Sequence, residues 1–136
     1  MTIPYLAILA AAVAAWIFGA VWFGALGRPW ATGLGLMPAD GAAARGKPPI
    51  FALIFSFAAE LAMATMLDGL ITHLAGPQYS LTPALIGAFF VWFGFVAPAI
   101  ATNYAYQKRP WPVFAIDLGH WLGVLLIQGA VLALVA

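Results

Sequence analysis

Four stretches of about two dozen residues, nearly free of charge, leave this chain few folds to adopt: residues 3–26, 49–74, 83–106 and 112–135. Crossing about 30 Å of hydrocarbon at 1.5 Å per residue takes about 20 apolar residues, so each stretch is long enough to span a bilayer with some tilt. The first and third carry no charge. The second is interrupted by Glu60, Asp68 and His73, and the fourth by Asp117 and His120. Only 7% of the 136 residues are charged, against roughly a quarter in an ordinary soluble domain, too few to cover a soluble surface. Helical periodicity is weak, as expected of helices that meet lipid on one side and protein on the other. The ten-residue alternation of a membrane β-barrel is missing. The sequence therefore predicts an all-α integral membrane protein, a single four-helix transmembrane domain over residues 1–136.

The connections set an orientation. Residues 27–48 hold Arg28, Asp40, Arg45 and Lys47, the third connection holds Lys108 and Arg109, and residues 75–82 hold no Lys or Arg. All five basic residues thus fall on one side, which the positive-inside rule makes cytoplasmic. Both termini then face outward, on the extracytoplasmic side. Met1-Thr2-Ile3-Pro4-Tyr5 lacks a basic leader region, so the first span is expected to be retained. Tyr5 and Tyr79 at one face, with Trp30, Tyr104, Tyr106 and Trp111 at the other, read as interfacial aromatic belts. Trp16, Trp92 and Trp121 fall near mid-span and read as packing elements.

Small residues recur at helical spacing in two spans. Ala7, Ala11, Ala15 and Gly19 line one face of the first, and Gly119 and Gly123 form a GxxxG in the fourth. These stripes predict close helix packing, either within one chain or between copies. Pro98 removes a hydrogen bond to the Gly94 carbonyl and predicts a kink in the third span. Val21-Trp22-Phe23-Gly24 recurs as Val91-Trp92-Phe93-Gly94, and Pro49-Ile50-Phe51-Ala52 resembles Pro112-Val113-Phe114-Ala115. The order is that of two parallel helical hairpins.

Ionisable groups inside a bilayer cost about 2.5–3.5 kcal/mol on insertion scales, so they are expected to face the bundle and mark candidate sites. Measured from the cytoplasmic helix ends, Asp117 lies at about 8 Å, His120 at about 12 Å, Glu60 at about 16 Å, Gln128 at about 24 Å and Asp68 at about 28 Å. The second and fourth spans run in the same direction. Equal heights would pair Glu60 with His120 and Asp68 with Gln128, as a polar clamp or as parts of a proton relay. Asn103 is placed to join Asp117 near the cytoplasmic end. His73, at about 36 Å, is too far from His120 to share a metal ion, so no metal site and no cofactor are expected. Met63 and Met66 read as gap fillers.

The absence of Cys removes disulfides, thiolate metal sites and a Cys nucleophile. A net charge of +1 gives no nucleic-acid footprint. No nucleophilic triad or phosphate loop is present.

Trp16-Ile17-Phe18-Gly19-Ala20-Val21-Trp22-Phe23-Gly24-Ala25-Leu26-Gly27-Arg28-Pro29-Trp30 resembles the first-helix signature of the bacterial domain of unknown function 1761 family. Trp92-Phe93-Gly94-Phe95, Asn103, Arg109-Pro110, Gly119-His120 and Gly129 follow in the family's order. The resemblance implies a small four-helix membrane protein and supplies no activity. The functional expectation is a non-enzymatic inner-membrane protein that contacts the lipid bilayer and works as a homo-oligomer or as an accessory subunit of a larger membrane complex. Two alternatives stand beside it. One is a small-solute or proton-coupled transporter using Glu60, Asp68 and His120; the other is a redox or quinone site around Asp117, His120 and Trp121.

Overall fold

The computed structural model describes residues 3–36 and 50–136, so Pro49, Asp40, Arg45 and Lys47 lie outside the described residues. The described chain is all-helical: α1 (Tyr5–Gly33), α2 (Ile50–Ala75), α3 (Leu81–Val91), a π-helical turn (Trp92–Val96), α4 (Ala97–Tyr106) and α5 (Trp111–Val135). The segments α3, π turn and α4 form one continuous third span, giving four helices long and apolar enough to cross a membrane. Helices dominate because a backbone in hydrocarbon must satisfy its polar groups internally.

Helix boundaries differ from hydropathy in one consequential place. α1 does not stop at Leu26 but continues through Gly27-Arg28-Pro29-Trp30 to Gly33. Charge at Arg28 ends the apolar run without ending the helix, because helicity needs only intrahelical hydrogen bonds while hydropathy reports the solvent. The extra turns carry Trp30 to α5.

Two helices end in the same motif. After α1, Gly35 N–H donates to the Thr32 carbonyl and Leu36 N–H to the Ala31 carbonyl; after α4, Lys108 N–H donates to Ala105 and Arg109 N–H to Tyr104. This Schellman pattern needs a left-handed residue, normally Gly. Gly35 (φ 71°) supplies it in the first case, whereas Lys108 (φ 53°) does so in the second, at a cost of about 1 kcal/mol.

α5 is the axis of the bundle. It packs against α1, α2, α3, the π turn and α4, while the backbones of α1 and the third span stay apart. Its buried residues accordingly recur along its whole length, from Val113 to Leu132. The outer surface is apolar, with Leu6, Phe51, Phe55, Phe90, Phe95 and Leu134 all exposed, the reverse of a soluble protein and the pattern of lipid contact.

The small-residue stripes meet inside the chain. Ala7, Ala11 and Ala15 are buried. The glycines act as slots for rings rather than as flat backbone contacts. A Cβ on Gly123 would overlap the Phe18 ring, one on Gly119 would come within 2.8 Å of the Trp22 ring, and one on Gly19 would lie 3.0 Å from His120 Nε2. Direct backbone approach occurs elsewhere, where a Cβ on Gly129 would lie 2.9 Å from the Ala84 carbonyl oxygen. Pro98 falls in the first turn of α4, immediately after the π turn. There the missing N–H and the ring's steric demand are absorbed by the wider turn.

Candidate functional site

The buried polar residues stand at three levels along α2 and α5. Nearest the α4–α5 connection, Asp117 takes two hydrogen bonds: Trp30 Nε1 donates to Oδ1 at 2.9 Å, and the Tyr104 hydroxyl donates to Oδ2. One carboxylate thereby ties α1, α4 and α5 together. The Arg109 guanidinium lies 5.4 Å from the centre of the Tyr104 ring, and its Nε donates to Gln107 Oε1 at 2.8 Å. One turn along α5, His120 sits among aromatic rings, with centroids 4.6 Å from Trp121, 4.9 Å from Phe23 and 6.2 Å from Phe18. Two further indoles reach α5 at this level. Trp22 donates to the Ile116 carbonyl at 3.0 Å and Trp92 to the Leu118 carbonyl at 2.9 Å. These are the two tryptophans of the repeated Val-Trp-Phe-Gly, and they grip the same helix from two sides.

At mid-bundle, Gln128 Nε2 donates to the Glu60 backbone carbonyl at 2.8 Å. Both side chains are buried, and Glu60 Oε2 and Gln128 Oε1 have no hydrogen-bond partner. At the α2–α3 end, the Tyr79 hydroxyl donates to Asp68 Oδ1 at 2.7 Å. Burial, reinforced by the Asp68 carboxylate, pushes the Tyr79 hydroxyl well above its ordinary pKa, so it remains a donor.

The pairings expected from equal heights do not form. Gln128 meets Glu60 rather than Asp68, and His120 meets aromatic rings rather than Glu60. Glu60 to Asp68 and His120 to Gln128 are equal steps, and the real register is slipped by one such step, about 12 Å. Helix starts do not share a level: α5 begins well before α2 along their common direction, because its entry point is set by contacts with α1 and α4. Asn103 is exposed, and its neighbour Tyr104 is the residue that reaches Asp117.

Three tyrosine and tryptophan positions assigned to the belts, Trp30, Tyr79 and Tyr104, instead turn inward as donors to carboxylates. Tyr5, Tyr106 and Trp111 are exposed, as a belt requires. The signal that would have found the donors is the buried carboxylate itself, which needs N–H or O–H groups on a neighbouring helix at its own depth.

Among the described residues, no hydrogen bond joins the three levels. Asp117 and Gln128 are separated by about 16 Å along α5, and Glu60 and Asp68 by about 12 Å along α2. Buried Ala64, Leu67, Val124 and Leu125 occupy the intervals. Among the described residues, no group of three His, Cys, Asp or Glu side chains is placed to hold a metal ion.

A groove opens on the side away from α1. α2 and the third span diverge around the π turn, leaving a cavity of about 340 Å³ floored by Leu125 of α5 and walled by Met63, Met66 and Leu70 on one side and Val91 and Val96 on the other.

Comparison with known proteins gives one match. A family model described as a protein of unknown function (DUF1761) covers residues 6–133. No curated protein and no solved structure matches the chain.

Proposed function

The chain belongs to the DUF1761 family, and we propose that this member is a non-enzymatic membrane protein that works by self-association, through the groove between α2 and the third span. The observation that carries this reading is the unequal packing of the bundle. In the most apolar window of each span, 33% of α5 but only 11% of the third span is buried. The small-residue stripes are consumed within the chain, whereas the groove wall leaves Met66 and Leu70 of α2 exposed. Flexible methionines line it, and these adapt readily to a packed partner. A second copy, related by a two-fold axis, would close both grooves with one interface. An accessory role in a larger complex would use the same face.

The chain has no Cys, so single cysteines report contacts without background. Met66→Cys, at the groove, is expected to cross-link into a dimer in native membranes, and Ile17→Cys, exposed on α1, is not. Failure of Met66→Cys to cross-link while Ile17→Cys does so would place the interface elsewhere.

The same reading puts both termini outside the cytoplasm in a bacterial inner membrane. It is supported by Arg28, Lys108 and Arg109 all lying towards the end of the bundle where α1 finishes and α5 begins.

A second reading, proton movement, is favoured by one observation: the unpartnered oxygens of Glu60 and Gln128 at mid-bundle. Buried polar atoms without partners are uncommon and call for a proton or a bound species. In proteoliposomes holding a pH-sensitive dye under an imposed potential, Glu60→Gln is expected to reduce proton uptake to that of protein-free vesicles if this reading holds. Wild-type vesicles indistinguishable from protein-free ones would dismiss it.

A further inference from the structure

Where α1 ends and α4 turns into α5, Gly33, Leu34, Gln107, Lys108, Arg109 and Pro110 line an open surface cavity of about 430 Å³. We propose that this cavity binds the phosphate headgroup of an anionic phospholipid. It lies at the mouth of the bundle, where the spans give way to their connections and headgroups are met. Tyr106 and Trp111 flank it and are 87% and 76% exposed, the placement of interfacial aromatic anchors.

Two observations indicate that its charges are arranged for a ligand. The Arg109 guanidinium is held from two sides, by its Nε hydrogen bond to Gln107 and by the face of the Tyr104 ring, whose hydroxyl is fixed in turn by Asp117. Such a fork needs little further ordering to accept two phosphate oxygens on its remaining N–H groups. Asp117 is engaged by Trp30 and Tyr104, and among the described residues no carboxylate forms an ion pair with Lys108 or Arg109.

The second observation is the backbone of Lys108. Among the described residues it is the only non-glycine with positive φ, at a position where the equivalent turn after α1 uses Gly35 and the turn after α2 uses Gly76. A strained lysine where glycine serves twice elsewhere has a local conformational cost, and what it adds is a basic residue to the lining of the cavity. Basic pockets between membrane helices on the cytoplasmic side bind anionic lipid head groups.

The two residues can be separated from the fold. Lys108→Gly should leave the bundle as heat-stable as the wild type or more so, since it relieves the strain, and Arg109→Gln gives up the exposed contacts with Gln107 and the Tyr104 ring while keeping the Trp30 and Tyr104 bonds to Asp117. Native mass spectrometry of protein equilibrated in mixed micelles of phosphatidylglycerol and phosphatidylcholine is the readout. Wild type is expected to retain phosphatidylglycerol preferentially, Lys108→Gly to lose about fivefold of that preference, and the double variant about thirtyfold. Inorganic phosphate at millimolar concentration should not displace the lipid. Equal retention of the two lipids by wild type, an unchanged preference in the heat-stable double variant, or displacement by free phosphate would each overturn the proposal.

Discussion

Replacing Gly129 by alanine is expected to destabilise the protein, although alanine is favoured over glycine inside a helix by about 1 kcal/mol. The new Cβ would stand 2.9 Å from the Ala84 carbonyl oxygen and 3.3 Å from the Ala88 methyl. The first of these is backbone in α3, so it has no rotamer by which to move away, and α3 itself must shift. Overpacking of this kind costs about 1–3 kcal/mol, and valine, with two more methyl groups, belongs at or beyond the upper end. For a chain of this size the Val variant should lower the thermal midpoint in detergent by about 10 °C. Gly69, on α2, has open space around its would-be Cβ, so Gly69→Ala should instead leave the midpoint unchanged or raise it. A rise for Gly129→Ala matching that of Gly69→Ala would show that α3 does not seat on α5 as described.

Removing the Asp117 carboxylate should be comparably severe. Its two oxygens receive Trp30 and Tyr104, so Asp117→Ala leaves an indole N–H and a phenol O–H without acceptors in a partly buried setting. Each orphaned donor costs about 1–3 kcal/mol, and together they are expected to lower the midpoint by about 10 °C or more. Asp117→Asn keeps the shape and one carbonyl acceptor, and should recover roughly half of the loss. The end of α1 should also loosen, since Trp30 is its tie to α5. Faster amide exchange around residues 28–33 in Asp117→Ala, with α3 unaffected, is the expected signature. Unchanged exchange and an unchanged midpoint would mean that Asp117 is dispensable to the fold.

What could be foreseen from the amino acids followed the strength of the underlying constraint. Four spans were legible because a backbone in lipid has almost no alternative to the helix and the number of apolar residues needed is fixed by bilayer thickness. That Glu60, Asp68, Asp117, His120 and Gln128 face inward was legible for the same reason, and all five are buried. Their partners were not. Pairing depends on the relative level of parallel helices, and an apolar helix slides along another at little cost until specific groups lock it. Here Trp22, Trp30 and Tyr104 lock α5 low against α1 and α4, and the register with α2 follows.

Glycine gave a comparable ambiguity. Gly119 and Gly123 have the spacing of a backbone-to-backbone contact, yet they receive the rings of Trp22 and Phe18. Spacing records where side chains are missing without recording what enters the space. Trp30, Tyr79 and Tyr104 carry both an apolar ring and a polar tip, so composition suits them equally to a headgroup layer and to a buried carboxylate. The π turn before Pro98 was foreseeable only as a disturbance. The groove between α2 and the third span beside that turn, on which the proposed association rests, required the packed structure.

The number of chains per particle tests that association most directly. Protein extracted with its surrounding lipid by an amphipathic copolymer, without detergent, should yield particles containing two 14.3-kDa chains when the mass of the protein component is measured. A bulky polar substitution in the groove, Met63→Gln with Met66→Gln, should convert them to one chain while leaving the helical content intact. Wild-type particles that contain a single chain would contradict self-association through the α2 and third-span face.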